Sequence, residues 1–414
     1  MTGARLGAPS TAPAEPADSA EPRAPADSTE PTEPAEPTEN ADPAEPSEPT
    51  ERNDPTEPID RNEPFDATHN IESSDHSDHF EFATGRSYGA CPGRGCGRMP
   101  RDEPAGMELG AHLPLMEFRD EGQSWSRLEV AMSAARDCGF AAISANDHYL
   151  FSTPWLDGPS ALAAAAPRSG GLDLATTVAN VVLRGPVQLA KALAAVDVIS
   201  GGRVVAGVGP GSSQRDYDAV GIPFEQRWPR FEEATAILRA LLRGAPPPPQ
   251  SRYYPWPDEA LAPPPARDGG IPVWIGSWGS AAGLRRVARL ADGWLASAYN
   301  TTPEGFAGAR ERLIAQLEAR GRDSGGFPTA LSTMWTWVSE NGAEAERKLE
   351  GVLAPLLRRD ADDLQPHLCI GPPGHCAELL SRYAEAGCGR VYLWPLGDER
   401  RQLELVAAEV MPRL

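Results

Sequence analysis

The chain has 414 residues, 59 of them acidic and 38 basic, for a formal net charge of −21 at pH 7. No basic stripe points to nucleic acid, and no apolar run is long enough to span a bilayer. Six cysteines over this length do not make a disulfide framework, and the first residues lack the apolar core of a secretory signal, so a cytoplasmic location is expected.

The acidity sits at the front. Residues 1–106 hold 23 acidic and 8 basic residues, and the remainder is an ordinary, mildly acidic sequence. From 11 to 66 the chain repeats a theme of proline and glutamate or aspartate, AEPADSAEPRAP and its variants. Proline removes backbone donors, like charges repel, and little apolar surface offsets the ordering entropy, so a disordered leader over 1–106 is expected. His69, His76, His79, Cys91 and Cys96 follow, but a C-x4-C pair among scattered histidines is no recognised ligand set, and no metal site is expected. Met107 opens MELGAHLPL, the first strand-like run, and is a candidate for the true start of translation.

From Met107 strands and helices alternate. Leu109–Leu115 reads as a strand, Trp125–Cys138 as a helix closed by Gly139, and Ala141–Ala145 as a second strand running into Asn146-Asp147-His148. A helix over Pro159–Ala166 precedes a third strand, Leu172–Val182, rich in Val and Thr. Gly185-Pro186 breaks the chain and suits a helix start. Leu189, Ala192, Leu193, Val196 and Ile199 then recur on one helical face up to Gly201-Gly202. Arg203–Val208 is the fourth strand. Next come a helix over Pro229–Arg243 and an irregular proline-rich insertion, Gly244–Gly270. Strands follow at Ile271–Gly276, Gly293–Ala298, Ala330–Val338 and Arg390–Trp394, with helices at Ser280–Leu290, Pro303–Arg320, Glu344–Arg358, His375–Ala386 and Glu399–Val410. Eight strands, each followed by helical material, with no second domain, predict a (β/α)8 TIM barrel over residues 107–414 rather than an open doubly wound sheet.

In such a barrel the loops after the strands form the active face. His112 lies near the end of the first strand, Asp147-His148 at the end of the second, and Thr176 to Asn180 on the third. Gly209-Pro210-Gly211-Ser212-Ser213 follows the fourth, Gly276-Ser277-Trp278-Gly279-Ser280 the fifth, and Trp394-Pro395 closes the last. Glycine and serine expose backbone N–H groups, and a helix starting near Ser280 favours an anion. Aromatics beside these loops suit a flat, phosphate-bearing cofactor. A histidine at a strand end can move a proton near neutral pH, with an adjacent aspartate to orient it. Gly207-x-Gly209-x-Gly211 lacks the third glycine of the dinucleotide fingerprint, and Pro210 and the serines after it do not open a helix as that motif requires. Cys138, Cys369, Cys376 and Cys388 read as packing residues.

Taken together, MELGAHLPL, SANDHYLF, LATTVANVV, RVVAGVGPGS, GIPFEQRWPRFEEATAILRALLRG, IPVWIGSWGS, LADGWLASAYN and GRVYLWPLGD resemble the luciferase-like monooxygenase superfamily, and within it the coenzyme F420-dependent oxidoreductases. The resemblance covers Met107 to Leu414. It implies a homodimeric barrel that binds F420, or alternatively FMN, at the strand ends and passes a hydride to or from a small organic substrate. His148 would be the catalytic proton carrier with Asp147 beside it. Thr177-Val178 would carry a cis peptide behind the ring. Ser277, Trp278 and Gly279 would form a phosphate-binding turn, with Gly209, Gly211 and Ser212 also at the cofactor and His112 and Trp394 at the substrate. Two departures stand out: Ser212 replaces the glutamate of the sugar-phosphate dehydrogenases, and Trp155 falls seven rather than four residues after the histidine. Both point away from that sugar phosphate. The alternatives are a reduced-FMN monooxygenase using O2 and fed by a partner reductase, and a non-catalytic flavin-binding barrel.

Overall fold

A computed structural model describes residues 106–118, 122–246, 251–255 and 260–414. The expected disordered leader and its His and Cys residues lie outside the described residues, apart from Gly106. The strands are β1 (Glu108–His112), β2 (Ala142–Ala145), β3 (Asp173–Thr176), β4 (Ala179–Asn180), β5 (Val204–Gly209), β6 (Val273–Gly276), β7 (Gly293–Ser297), β8 (Thr329–Val338), β9 (Cys369–Gly371) and β10 (Arg390–Pro395). The parallel order β1-β2-β3-β5-β6-β7-β8-β10 closes when β10 pairs back onto β1, Glu108 opposite Arg390. This is the (β/α)8 barrel anticipated from the alternation, with its eight main strands where the apolar runs placed them.

Burial explains why those runs are strands. Ala142, Ile143, Leu174, Val204, Ala206 and Val273 are essentially inaccessible, because helices cover one face and the barrel interior fills the other. Helix Pro186–Ser200 begins with proline at its first position and ends on Gly201 in the left-handed region (φ 73°). It turns Leu189, Leu193 and Val196 onto the sheet, each burial contributing roughly 1.5–3 kcal/mol. Its Asp197, fully buried, accepts from the backbone N–H of Val204 (3.1 Å) and of Arg267 (3.1 Å), tying the helix end to β5 and to the insertion.

Three departures from the sequence reading bear on the site. The third strand is shorter than Leu172–Val182. It stops at Thr176, passes through a cis peptide at Thr177-Val178, pairs briefly with β5 as β4, and becomes helical over Val181–Arg184. Val181, Val182 and Leu183 are buried in that helical turn, and a short buried helix has the same apolar composition as a strand. The serines after β5 do open a helix: Ser213 caps Gln214–Ala219, its Oγ accepting from Asp216 N–H at 3.2 Å. β9 was not anticipated; it is three residues long and pairs only with Thr336–Val338, where β8 overshoots the barrel.

β8 also carries a bulge. Leu331 faces Val391 and Met334 faces Leu393, so one extra residue is accommodated at Ser332-Thr333. Thr333 has φ 56°, which costs a β-branched residue about 1–3 kcal/mol. Its hydroxyl offsets this through Ser297 Oγ (2.9 Å), the N–H of Ala298 (3.2 Å) and the carbonyl of Ser332 (2.7 Å).

Candidate active site

An open cleft of about 1070 Å³, counting its mouth, lies over the carboxyl ends of the barrel strands. Ten of the residues singled out from the sequence line it: Asp147, His148, Thr177, Val178, Gly209, Gly211, Ser212, Ser277, Trp278 and Trp394. They come from five strand ends that are far apart in sequence. Two do not line it. Gly279 lies behind the turn, its φ of 94° reversing the chain while its carbonyl accepts from Arg312 (3.2 Å). His112 is buried, its ring stacked on Trp394 at 3.6 Å and its Nδ1 hydrogen-bonded to Ser144 Oγ at 3.0 Å. Burial drives its imidazole down to about 3, against a smaller upward pull from Asn146, so it is neutral at ordinary pH. His112 does not line this cleft; with Trp394 it lines a small neighbouring cavity of about 250 Å³.

The floor is shaped by small residues around Val178. A Cβ added at Gly209 would lie 2.8 Å from one Val178 methyl, and one at Gly276 would lie 3.0 Å from the other. Thr177 Oγ1 and Trp394 Nε1 are buried with no hydrogen-bond partner in the protein. Buried polar atoms rarely stay unmatched, so both fit hydrogen bonds to a bound molecule. On the β6 side, Ser280 caps helix Ala281–Leu290 by accepting from Gly283 N–H at 3.1 Å. Ser277 Oγ accepts from Gly279 N–H at 3.3 Å, and the Ser277 carbonyl accepts from the buried Trp294 indole at 3.0 Å. Arg286, one turn along that helix, stacks over Trp228 (4.2 Å) and pairs with Glu232 (2.9 Å); both Arg286 and Trp228 line the cleft. Trp278, 49% exposed, stands on the rim. A flat ring over Val178 and an anionic tail toward Ser277 and Arg286 fit this donor set.

The histidine and its sequence neighbour face different ways. Asp147 is buried and accepts from Arg184 Nε (2.5 Å), Arg184 Nη2 (2.6 Å) and Asn180 N–H (3.2 Å). Arg184 also bridges to Asp157, and burial, which would lower the arginine's pKa, is outweighed by these two carboxylates. The expectation that Asp147 orients His148 is thus corrected, because its oxygens are already engaged. The carboxylate that His148 meets is Asp216, with Nδ1 to Oδ2 at 3.5 Å. Phe151 (4.8 Å) and Trp155 (4.7 Å) pack against the same ring, so Trp155 reaches the histidine despite its longer spacing. Asp216, Arg184, Arg286, Trp228 and the Ser297/Ser332/Thr333 hydroxyls were missed in the sequence. Only Asp216 left a local signal, the Ser213-x-x-Asp216 capping spacing.

Comparison with known proteins agrees with the barrel fold. A family model described as luciferase-like monooxygenase matches residues 107–390. The chain is 25% identical over 327 residues to a 5,10-methylenetetrahydromethanopterin reductase from Archaeoglobus fulgidus, covering 69% of this chain and 95% of that one. It is 26% identical over 318 residues to an F420-dependent glucose-6-phosphate dehydrogenase from Intrasporangium calvum, covering 68% and 92%. Among solved structures, a monooxygenase from Streptomyces bottropensis, RslO1, shares the fold with a TM-score of 0.65 at 20% identity, over 74% of this chain and 99% of that one.

Proposed function

This chain belongs to the luciferase-like monooxygenase family, and on that premise we propose that it is an F420-dependent oxidoreductase acting on a small, uncharged organic substrate. The observation that carries the reading is a strand-end histidine and a glycine-floored cleft meeting in one place: His148 and Val178, the latter between Gly209 and Gly276, line the same cleft. Relatives that use F420 support the choice of cofactor. Bound there, a deazaflavin supplies two-electron hydride chemistry.

The chain's own residues do the rest. Thr177 Oγ1 and Trp394 Nε1, unmatched within the protein, are available to hold and orient the ring. Ser277 and Arg286 offer donors for an anionic tail. His148 holds or releases the proton that accompanies hydride movement at a substrate oxygen. Phe151 and Trp155 pack against the His148 ring, and Trp394 lines the same cleft. Ser212 stands where a glutamate would serve a sugar phosphate. Among the described cleft residues the charged side chains are Asp147, His148 and Arg286, and the first and last are ion-paired. Arg286 serves the anionic tail of the cofactor, and the cleft lining has no second arginine or lysine among the described residues for a phosphorylated substrate.

Titrating the purified full-length chain with F420 and, separately, with FMN tests the proposal. Saturable quenching of F420 fluorescence, with secondary alcohols or ketones turned over and their phosphorylated analogues refused, is the expected result. Binding of reduced FMN with oxygen consumption and no response to F420 would make the chain a flavin monooxygenase instead.

A further inference from the structure

His148 has a buried Nδ1 with no hydrogen-bond partner, and the carboxylate at ion-pair distance from it is supplied by a different strand end. Asp216 is itself almost fully buried and is held rigidly: Leu150 N–H donates to Oδ1 at 2.8 Å, Tyr149 N–H to Oδ2 at 3.4 Å, and Ser213 fixes its backbone N–H. The segment carrying the histidine is therefore bolted to the carboxylate by its own next two amides. Tyr149, next to the histidine in the chain, has Arg184, Asp147, Asp157 and Asp216 as its charged neighbours. Arg184 is shared between Asp147 and Asp157, and burial holds the Tyr149 hydroxyl protonated, pushed up to about 12. Burial would raise the pKa of Asp216, but His148 and the two backbone donors outweigh it and keep the carboxylate ionised.

We propose that Asp216, not the adjacent Asp147, is the positioning residue for His148: it holds the proton on Nδ1, leaves Nε2 as the nitrogen available to the cleft, and stabilises the imidazolium. The inference rests on the proposed function only for what the proton is used for; the pairing is a property of the protein alone.

The test uses the full chain labelled with 15N-histidine, without any cofactor, and follows the ring nitrogens through pH. His148 signals are identified by their loss in His148→Gln. The expected parent spectrum is the Nδ1–H tautomer. Asp216→Asn keeps a side-chain oxygen for Leu150 while removing the charge, and moves the His148 ring proton from Nδ1 toward Nε2. Asp216→Glu restores the Nδ1–H form in part, and Asp218→Asn, exposed on the same short helix, leaves the tautomer unmoved. An unchanged tautomer in Asp216→Asn, with the near-ultraviolet spectrum of the fold intact, overturns the pairing. In the loaded enzyme Asp216→Asn lowers kcat and leaves KM little changed. A change of tautomer without any F420 turnover leaves the pair standing and removes the proposed function; turnover without the change removes the pair.

Discussion

His112 and His148 both stand at strand ends, and their surroundings give them opposite tasks. His112 is enclosed by Ser144 and the Trp394 ring and stays neutral down to about pH 3, while the unfolded chain protonates it near 6.5. Between those values the unfolded state binds the extra proton, so folding stability falls as pH falls, by up to about 1.4 kcal/mol per pH unit. Urea unfolding at pH 7 and pH 5 checks this. The loss of stability between the two is expected to shrink in His112→Gln, and an identical loss in both proteins would mean that His112 titrates normally. His148 is partly exposed and lines the cleft. His148→Ala is expected to lower kcat by roughly 10²–10⁴-fold and to change cofactor affinity far less; equal turnover in single-turnover kinetics would exclude it as the proton carrier. Neither role followed from the residue type. Both histidines end strands, and the difference is made by Trp394, 282 residues from His112 in the chain, and by Asp216, which a short unanticipated helix brings in.

At the scale of elements, the two ends of the barrel are built for different purposes. The amino end is closed by an ion cluster: Arg390 at the start of β10 pairs with Glu108 of β1 and, at 3.0 Å, with Asp173 of β3. These partners lock three strands in register, and burial, which would depress the arginine's pKa, is overcome by Tyr392 and the two carboxylates. Arg390→Met leaves both carboxylates without that partner and is expected to cost ~3–5 kcal/mol. A loss below about 1 kcal/mol in urea unfolding would show that the cluster is screened by water. The carboxyl end carries irregularities: the break after β3, the bulge in β8 and the left-handed Thr333. Element type was legible for the long periodic segments such as Pro186–Ser200. It was not legible for Val181–Arg184 or for the helix after Ser213, where fewer than seven residues carry no usable period.

The whole barrel closes within residues 108–395, from the backbone N–H of Glu108 bonded to Gly389 to the last pair of β10 with β8. A chain beginning at Met107 is accordingly expected to keep its melting temperature and its affinity for F420. A loss of either, measured by calorimetry and fluorescence titration, would give residues 1–106 a part in the site. Among the described residues no helix is long and apolar enough to cross a membrane.

Periodicity, breakers and strand-end residues in the sequence were enough to determine a closed barrel and to name ten residues that share one cleft, because the strand-then-helix alternation dictates which end of every strand faces the same way. Which carboxylate serves which cation was decided only in three dimensions. Asp147 adjoins His148 in the chain but spends its charge on Arg184, and Asp216, 68 residues away, takes its place. Charge pairing follows distance through space, and local spacing carries no record of it.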